Sequence, residues 1–260
     1  YLNDIKQYAN ILTGSNNILA IEYLKAIKKL KSKLNPIGIR REKVLYNDEI
    51  IIDDFASATA IRKMIATGQF SDIQKVMPKS SYALLADELR KGHYVLDLSK
   101  FQKEIIYNLR KMSVEEIAQL VDVSEGLENA IKNAANSSNN LVDFVNIVKS
   151  KRYTQTRIQR ILIYALLGIT NSKMLAFKKA VPYARVLGFN ENGKQLISQI
   201  AKKNKKVQIV TSVKKYMDES KNKVLKEMLE TDILATNVYT LGYEKDSWSN
   251  LDYTNKLVTM

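Results

Sequence analysis

The sequence has no cysteine, one histidine and three prolines among its 260 residues. Without cysteine it can form no disulfide, no thiolate metal site and no cysteine nucleophile, and a reducing cytoplasm is the simplest setting for it. The single histidine, His93, argues against histidine-based zinc sites and Ser-His-Asp triads. We therefore predict no metal site and expect His93 to be an ordinary packing or surface residue. No apolar run approaches the length that crosses a bilayer, so no membrane partner is expected.

Positive charge is abundant: 41 Lys and Arg residues against 27 Asp and Glu give a formal charge of +14. Such a surplus attracts polyanions, either nucleic acid or an anionic membrane surface, and the distribution of the basic residues favours nucleic acid. Basic residues cluster at 25–43, 149–160 and 202–206, which suits an extended ligand such as folded RNA. The candidate RNA-binding residues are Arg152, Arg157, Arg160, Lys202, Lys203, Lys205 and Lys206.

A structural role for these basic residues stays open. Arg157 and Arg160 follow helical spacing with Tyr153 and Tyr164, so the arginines can instead form a solvated face or salt bridges. Core packing is the better expectation for the two tyrosines, and the lysine run 202–206 can be a solvated loop.

The pattern of apolar residues divides the chain into three parts, 1–72, 73–170 and 171–260. The first part combines a helix, short extended segments at 36–42 and 49–54, and a second helix from about Ser57 to Ala66 that ends near Gly68. The second part is almost wholly helical, with a capping box at Ser113 and Glu116. The third alternates helix and strand, with extended segments predicted at 183–189, 207–213 and 234–243.

One short motif carries chemistry, Ser57-Ala58-Thr59-Ala60-Ile61-Arg62, which follows a predicted buried strand and enters a helix. Unpaired N–H groups, two hydroxyl groups and a guanidinium at a helix N-terminus can bind phosphate. Ordinary helix capping by Ser57 or Thr59 is the alternative. The neighbouring carboxylates at 53–54 point to opposite sides of an extended segment, so we interpret them as a strand end and not as a magnesium site.

Three stretches together resemble the bacterial tRNA(Met) cytidine acetate ligase family: "SNNILAIEYLKAI" at 15–27, "ASATAIR" at 56–62 and "KSKRYTQTRIQRILIYALL" at 149–167. More loosely, "PYARVLGFNENGKQLI" at 182–197 is similar to the C-terminal part of that family. The resemblance implies an α/β fold, with the C-terminal half of a nucleotidyltransferase-like Rossmann-type domain at 1–72. A mainly helical tRNA-binding region and a small α/β C-terminal domain then follow.

The same resemblance implies a cytoplasmic enzyme that activates acetate with ATP to acetyl-adenylate. It then acetylates N4 of the wobble cytidine of elongator tRNA(Met). The match implies five ATP-binding residues: Asn16, Arg41, Ser57, Thr59 and Arg62. Because Arg40 precedes Arg41 directly, either of these two arginines can be the one that corresponds to the ATP-binding arginine of the family. Mg²⁺ binding together with ATP is left open. No residue is assigned to the catalytic step, and no oligomeric state is predicted.

The sequence departs from this family in one respect. The family's N-terminal Glu-Tyr-Asn-Pro-Phe-His-Asn-Gly-His stretch is missing, and the chain starts at Tyr1. We therefore expect these 260 residues to lack the N-terminal half of the family protein and to be inactive alone. A non-catalytic basic RNA-binding module and a different adenylyltransferase are the alternative functions.

Overall fold

A computed structural model describes residues 12, 14–39, 55–124, 126–204 and 206–260. Its helices are α1 (Ser15–Lys29), α2 (Ala58–Ala66), α3 (Phe70–Lys75), α4 (Lys79–Lys91), α5 (Gln102–Lys111), α6 (Val114–Ala118), α7 (Leu127–Ser137), α8 (Leu141–Val148), α9 (Gln155–Leu167), α10 (Asn171–Lys179), α11 (Glu191–Lys203), α12 (Val213–Glu219), α13 (Lys223–Thr240) and α14 (Leu251–Thr254). The strands are β1 (Ala184–Arg185), β2 (Gly188–Phe189), β3 (Ile209–Val210) and β4 (Val258–Thr259). The mixed helix and strand content confirms the predicted fold class.

The chain forms two compact units, Tyr1–Ala86 and Asp87–Met260, and the division falls within α4. The predicted three-part division at 72 and 170 stays a prediction.

In the first unit, α2 packs on α3 around a small apolar cluster of Ala60, Met64 and Ile73. Helix α2 ends as predicted: Gly68 is in the left-handed region at φ 72°, and the Gln69 N–H donates to the Met64 carbonyl. The extended segment predicted at 36–42 is neither helix nor strand over 36–39, and the remainder of it and the segment 49–54 lie outside the described residues.

In the second unit, α5, α7, α8 and α9 enclose the main core, whose largest fully buried side chain is Phe144. The capping box of Ser113 and Glu116 forms as predicted at the start of α6. Gly168, at φ 63°, ends α9. Tyr153 packs against this core, which confirms the expectation for that residue.

The last part of the second unit contains two parallel strand pairs, β1 with β3 and β2 with β4. The backbone passes closely at Gly188, where a Cβ would lie 2.7 Å from the Val258 carbonyl oxygen. The strand predicted at 234–243 is wrong, because residues up to Thr240 belong to the long helix α13. That helix buries Leu229 and Ile233, one turn apart, against Val210 and Val213.

Candidate functional site

The start of α2 is built by Ser57. Its buried hydroxyl oxygen accepts the Ala60 N–H at 3.0 Å, and its carbonyl accepts the Ile61 N–H at 3.0 Å. The capping interpretation is therefore confirmed for Ser57. Because the first intrahelical bond starts at Ile61, the N–H groups of Ala58 and Thr59 have no acceptor within the helix.

Thr59 and Arg62 lie three positions apart on α2, so their side chains share one side of its first turn. Thr59 is half-buried and Arg62 is exposed. Ala60 and Met64 fix the opposite side of the helix by packing on Ile73. The arrangement presents N–H groups, a hydroxyl group and a guanidinium around one helix N-terminus, a set of groups that can bind a phosphate.

The other two predicted ATP-binding residues are not on this turn. Asn16 is an exposed residue in the first turn of α1. Arg41, like Arg40 and the carboxylates at 53–54, lies outside the described residues. The structure thus brings together Ser57, Thr59 and Arg62, and phosphate binding by them stays a prediction.

Two of the predicted RNA-binding arginines have partners inside the protein. The Arg157 guanidinium donates to the Asp122 carbonyl oxygen at 3.0 and 2.7 Å and to the Ser124 hydroxyl at 3.0 Å. The Arg160 guanidinium pairs with the Asp122 carboxylate at 3.1 Å. Asp122 has a positive φ of 67°, a conformation that L-residues seldom adopt, so the two arginines hold a tight turn. These contacts support the structural alternative for both arginines, and RNA contact by them stays a prediction.

This geometry makes the two arginines unequal in their effect on stability. Arg157→Ala removes three hydrogen bonds from a half-buried site and is expected to lower the free energy of unfolding by about 1–3 kcal/mol. Arg160→Ala removes one mostly exposed ion pair and is expected to cost about 0–1 kcal/mol. Urea unfolding followed by circular dichroism measures both variants. Equal losses would contradict a structural role specific to Arg157.

Four of the five remaining basic candidates are on the surface. Lys202 and Lys203 are exposed at the end of α11, and Lys206 is exposed just after it. Lys205 lies outside the described residues. Arg152 is also exposed, with its guanidinium carbon 5.8 Å from the centre of the Tyr153 ring. Three lysine ammonium groups are therefore accessible to an anionic surface, as a backbone-binding role requires.

The single histidine has a local structural environment. His93 lies 3.1 Å from the Glu88 carboxylate, and its ring stacks on Tyr243 with centroids 5.1 Å apart. A hydrogen bond from Lys91, with a smaller contribution from His93, holds the pKa of Glu88 below its usual range. Among the described residues, no three His, Asp or Glu side chains are grouped as a metal site would need.

One polar pair was missed by the sequence reasoning. The Arg185 guanidinium pairs with the Asp252 carboxylate, 67 positions away in the chain. No local pattern signals such a pair, because it forms only when β1 and α14 come together. In the same part of the fold, the Tyr183 hydroxyl donates to Asp232, and burial together with that carboxylate raises the pKa of Tyr183.

Comparison with known protein sequences identifies one family model and several relatives that share one name. The family model described as HIGH Nucleotidyl Transferase matches residues 1–253. A Thermoanaerobacter pseudethanolicus protein named tRNA(Met) cytidine acetate ligase is 40% identical over 250 residues, which cover 96% of this chain and 61% of that protein. A protein of the same name from Acetivibrio thermocellus is 39% identical over 258 residues, with 96% and 62% covered. The chain thus spans about three fifths of the length of these relatives.

Two solved structures have a fold similar to that of this chain. The crystal structure of apo Thermotoga maritima TmcAL superposes with a TM-score of 0.88 at 25% identity, covering 96% of this chain and 61% of that one. A second structure of the same protein, bound with alpha-thio ATP, gives a TM-score of 0.84 at 24% identity and covers 60% of that chain. The fold is therefore nucleotidyltransferase-like, as the resemblance implied. Within the parts of the chain that the structure describes, no helix is both long and apolar enough to cross a membrane.

Proposed function

Since this chain belongs to the HIGH nucleotidyl transferase family, we propose that its protein is an ATP-dependent tRNA(Met) cytidine acetate ligase. The relatives of that name, which match 96% of the chain, support this function. The function places the protein in the cytoplasm, with ATP, acetate and elongator tRNA(Met) as its substrates.

The proposed reaction has two steps. An acetate oxygen attacks the α-phosphorus of ATP, a new P–O bond forms, and pyrophosphate leaves. The N4 amine of the wobble cytidine then attacks the acetyl carbonyl carbon, AMP leaves, and the amine loses a proton. Because the adenylate is already an activated acyl group, the enzyme needs positioning and charge neutralisation instead of a covalent nucleophile. A chain without cysteine is compatible with that requirement.

The single observation that carries the ATP part is the N-terminal turn of α2. The N–H groups of Ala58 and Thr59, the Thr59 hydroxyl and the exposed Arg62 guanidinium form a donor set that fits a phosphate group. Ser57 contributes by capping the helix and thereby holding this turn in place. The family resemblance adds Asn16 and Arg41 to the proposed ATP-binding residues.

The tRNA part is supported by surface charge. Lys202, Lys203 and Lys206 are exposed, and the whole chain carries a formal charge of +14. Contacts from such lysines to the phosphate backbone add affinity without reading the sequence. Arg152 is exposed near the start of α9 and belongs to the same proposal.

The proposed function predicts a chemical phenotype. Deleting the gene that encodes this sequence is expected to remove N4-acetylcytidine from elongator tRNA(Met), since no other activity is invoked to form it. Mass spectrometry of the purified tRNA measures the modification, and a strain that carries the gene on a plasmid is the control. Unchanged acetylcytidine in the deletion strain would refute the proposal. The non-catalytic RNA-binding alternative predicts that unchanged result.

A further inference from the structure

An open cavity of about 560 Å³ lies in the last part of the second unit. It is bordered by the residues after β1, by the end of β3, and by the segment from α14 to β4. In parallel α/β arrangements, ligands bind beyond the carboxyl ends of the strands, and β1 and β3 both end here. The volume lies within the range of small-molecule binding sites.

An incompletely satisfied carboxylate lines this cavity. The Asp252 side chain is only 9% exposed, and its Oδ1 atom pairs with Arg185. Its Oδ2 atom is buried and has no hydrogen-bond partner among the residues that the structure describes. A buried acceptor without a donor is unfavourable, and a small rotation of the carboxylate toward a ligand N–H in the cavity removes that deficit.

Two other cavity residues narrow the chemistry of the ligand. Lys256 is exposed and adds a positive charge. Tyr253 is 39% exposed and offers an aromatic ring. An acceptor, a cation and an accessible ring match the three parts of a nucleotide: the base edge, the phosphate and the base face.

We propose that this cavity binds an unpaired RNA nucleotide that bears an exocyclic amine, such as cytidine. The amine donates to the Asp252 carboxylate, which rotates so that Oδ2 faces the cavity, the base stacks on Tyr253, and Lys256 contacts the phosphate. The inference rests on the proposed tRNA substrate and adds to it a base-reading contact away from the α2 turn. It predicts a preference for cytidine over uridine, because uridine presents an acceptor oxygen where cytidine presents an amine.

The test measures binding of fluorescein-labelled oligocytidylate and oligouridylate of equal length by fluorescence anisotropy, without ATP. The wild-type chain is expected to bind oligocytidylate about five- to ten-fold more tightly, as expected of one charged base contact. Asp252→Asn is expected to abolish the preference. Asp218→Asn removes the same charge at an exposed position of α12 outside the cavity, and is expected to retain it. Equal affinities in the wild type, or a preference that survives Asp252→Asn, would overturn the proposal.

A second variant covers the case in which Asp252→Asn fails to fold because its ion pair with Arg185 is lost. Tyr253→Ala leaves that pair intact and is expected to weaken binding of both oligonucleotides about five-fold or more through the lost stacking. Wild-type affinities in Tyr253→Ala would overturn the proposal. So would displacement of the oligonucleotide by free cytidine monophosphate at equal nucleotide concentration, which would identify a mononucleotide site instead. Because these assays use neither ATP nor acetylation, their failure is separate from the gene-deletion result.

Discussion

Replacing Arg62 by alanine in the gene product that carries this sequence is expected to weaken ATP binding by about 10- to 100-fold, the effect of removing one charge-assisted contact. In the proposed site, the guanidinium can bind two phosphate oxygens at once, a geometry that lysine cannot reproduce. Arg62→Lys is therefore expected to recover only part of the lost affinity. Isothermal titration calorimetry with ATP measures all three proteins.

The expected loss is specific because Arg62 does little for the fold. Its side chain is exposed and makes no hydrogen bond or ion pair with another described residue. Helix α2 is held instead by the Ser57 cap and by the packing of Ala60 and Met64. The thermal midpoint of Arg62→Ala should therefore stay close to the wild-type value.

Lys63→Ala is the matched control for this prediction. It removes the same charge one residue further along α2, on a different side of the helix. Its ATP affinity should remain within about two-fold of the wild type, since the lost charge lies on a different side of the helix from Thr59 and Arg62 and acts on ATP only by general electrostatic attraction. Affinity for tRNA should also change little in Arg62→Ala. Equal losses of ATP and tRNA affinity, or equal losses in the two variants, would remove Arg62 from the proposed ATP site.

The features that sequence predicts well are those with a local cause. The start of α2 follows from a hydroxyl residue at the N-cap, and its end follows from a glycine that reaches positive φ at little cost. The same is true of the Ser113 capping box and of Gly168 after α9. Each signal involves residues within one helical turn, so no knowledge of the rest of the fold is needed.

The wrong strand at 234–243 shows where local preference fails. Thr, Val and Tyr in that stretch favour an extended conformation. In the structure α13 continues to Thr240. Leu229 and Ile233, which precede this stretch in the helix, are buried, and Val238 within the stretch packs on the main core. Tertiary packing of an apolar helix side outweighs intrinsic preferences that differ by less than about 1 kcal/mol per residue.

In the candidate site, too, features with a local cause could be predicted from the sequence and features formed by distant residues could not. The Ser57–Arg62 turn is contiguous in sequence, so its geometry could be anticipated from the motif. The partners of Arg157 could not, because Asp122 and Ser124 lie 35 and 33 positions away. Asp252 gave no signal at all, since its partner Arg185 and its cavity are created by chain segments distant in sequence. Spacing alone identifies an arginine's side of a helix but not what occupies it.

The largest expected loss of stability is at the centre of the main core. Phe144→Ala is expected to lower the free energy of unfolding by about 3–5 kcal/mol, because it deletes a buried ring and leaves a cavity. Phe144 is 0% exposed and is the largest of the fully buried side chains. Its helix, α8, packs on both α7 and α9, so the cavity would open where three helices meet.

Val142→Ala provides the control on the same helix. Val142 is 68% exposed, so its truncation should change the free energy of unfolding by no more than about 0.5 kcal/mol. Both side chains follow the same Asn140 cap, which accepts the Asp143 N–H at 2.9 Å, so helix formation is affected alike. Urea unfolding followed by circular dichroism compares the two variants with the wild type. A loss below about 1.5 kcal/mol for Phe144→Ala would contradict a tightly packed core, because only a site that collapses around the missing ring can absorb the change.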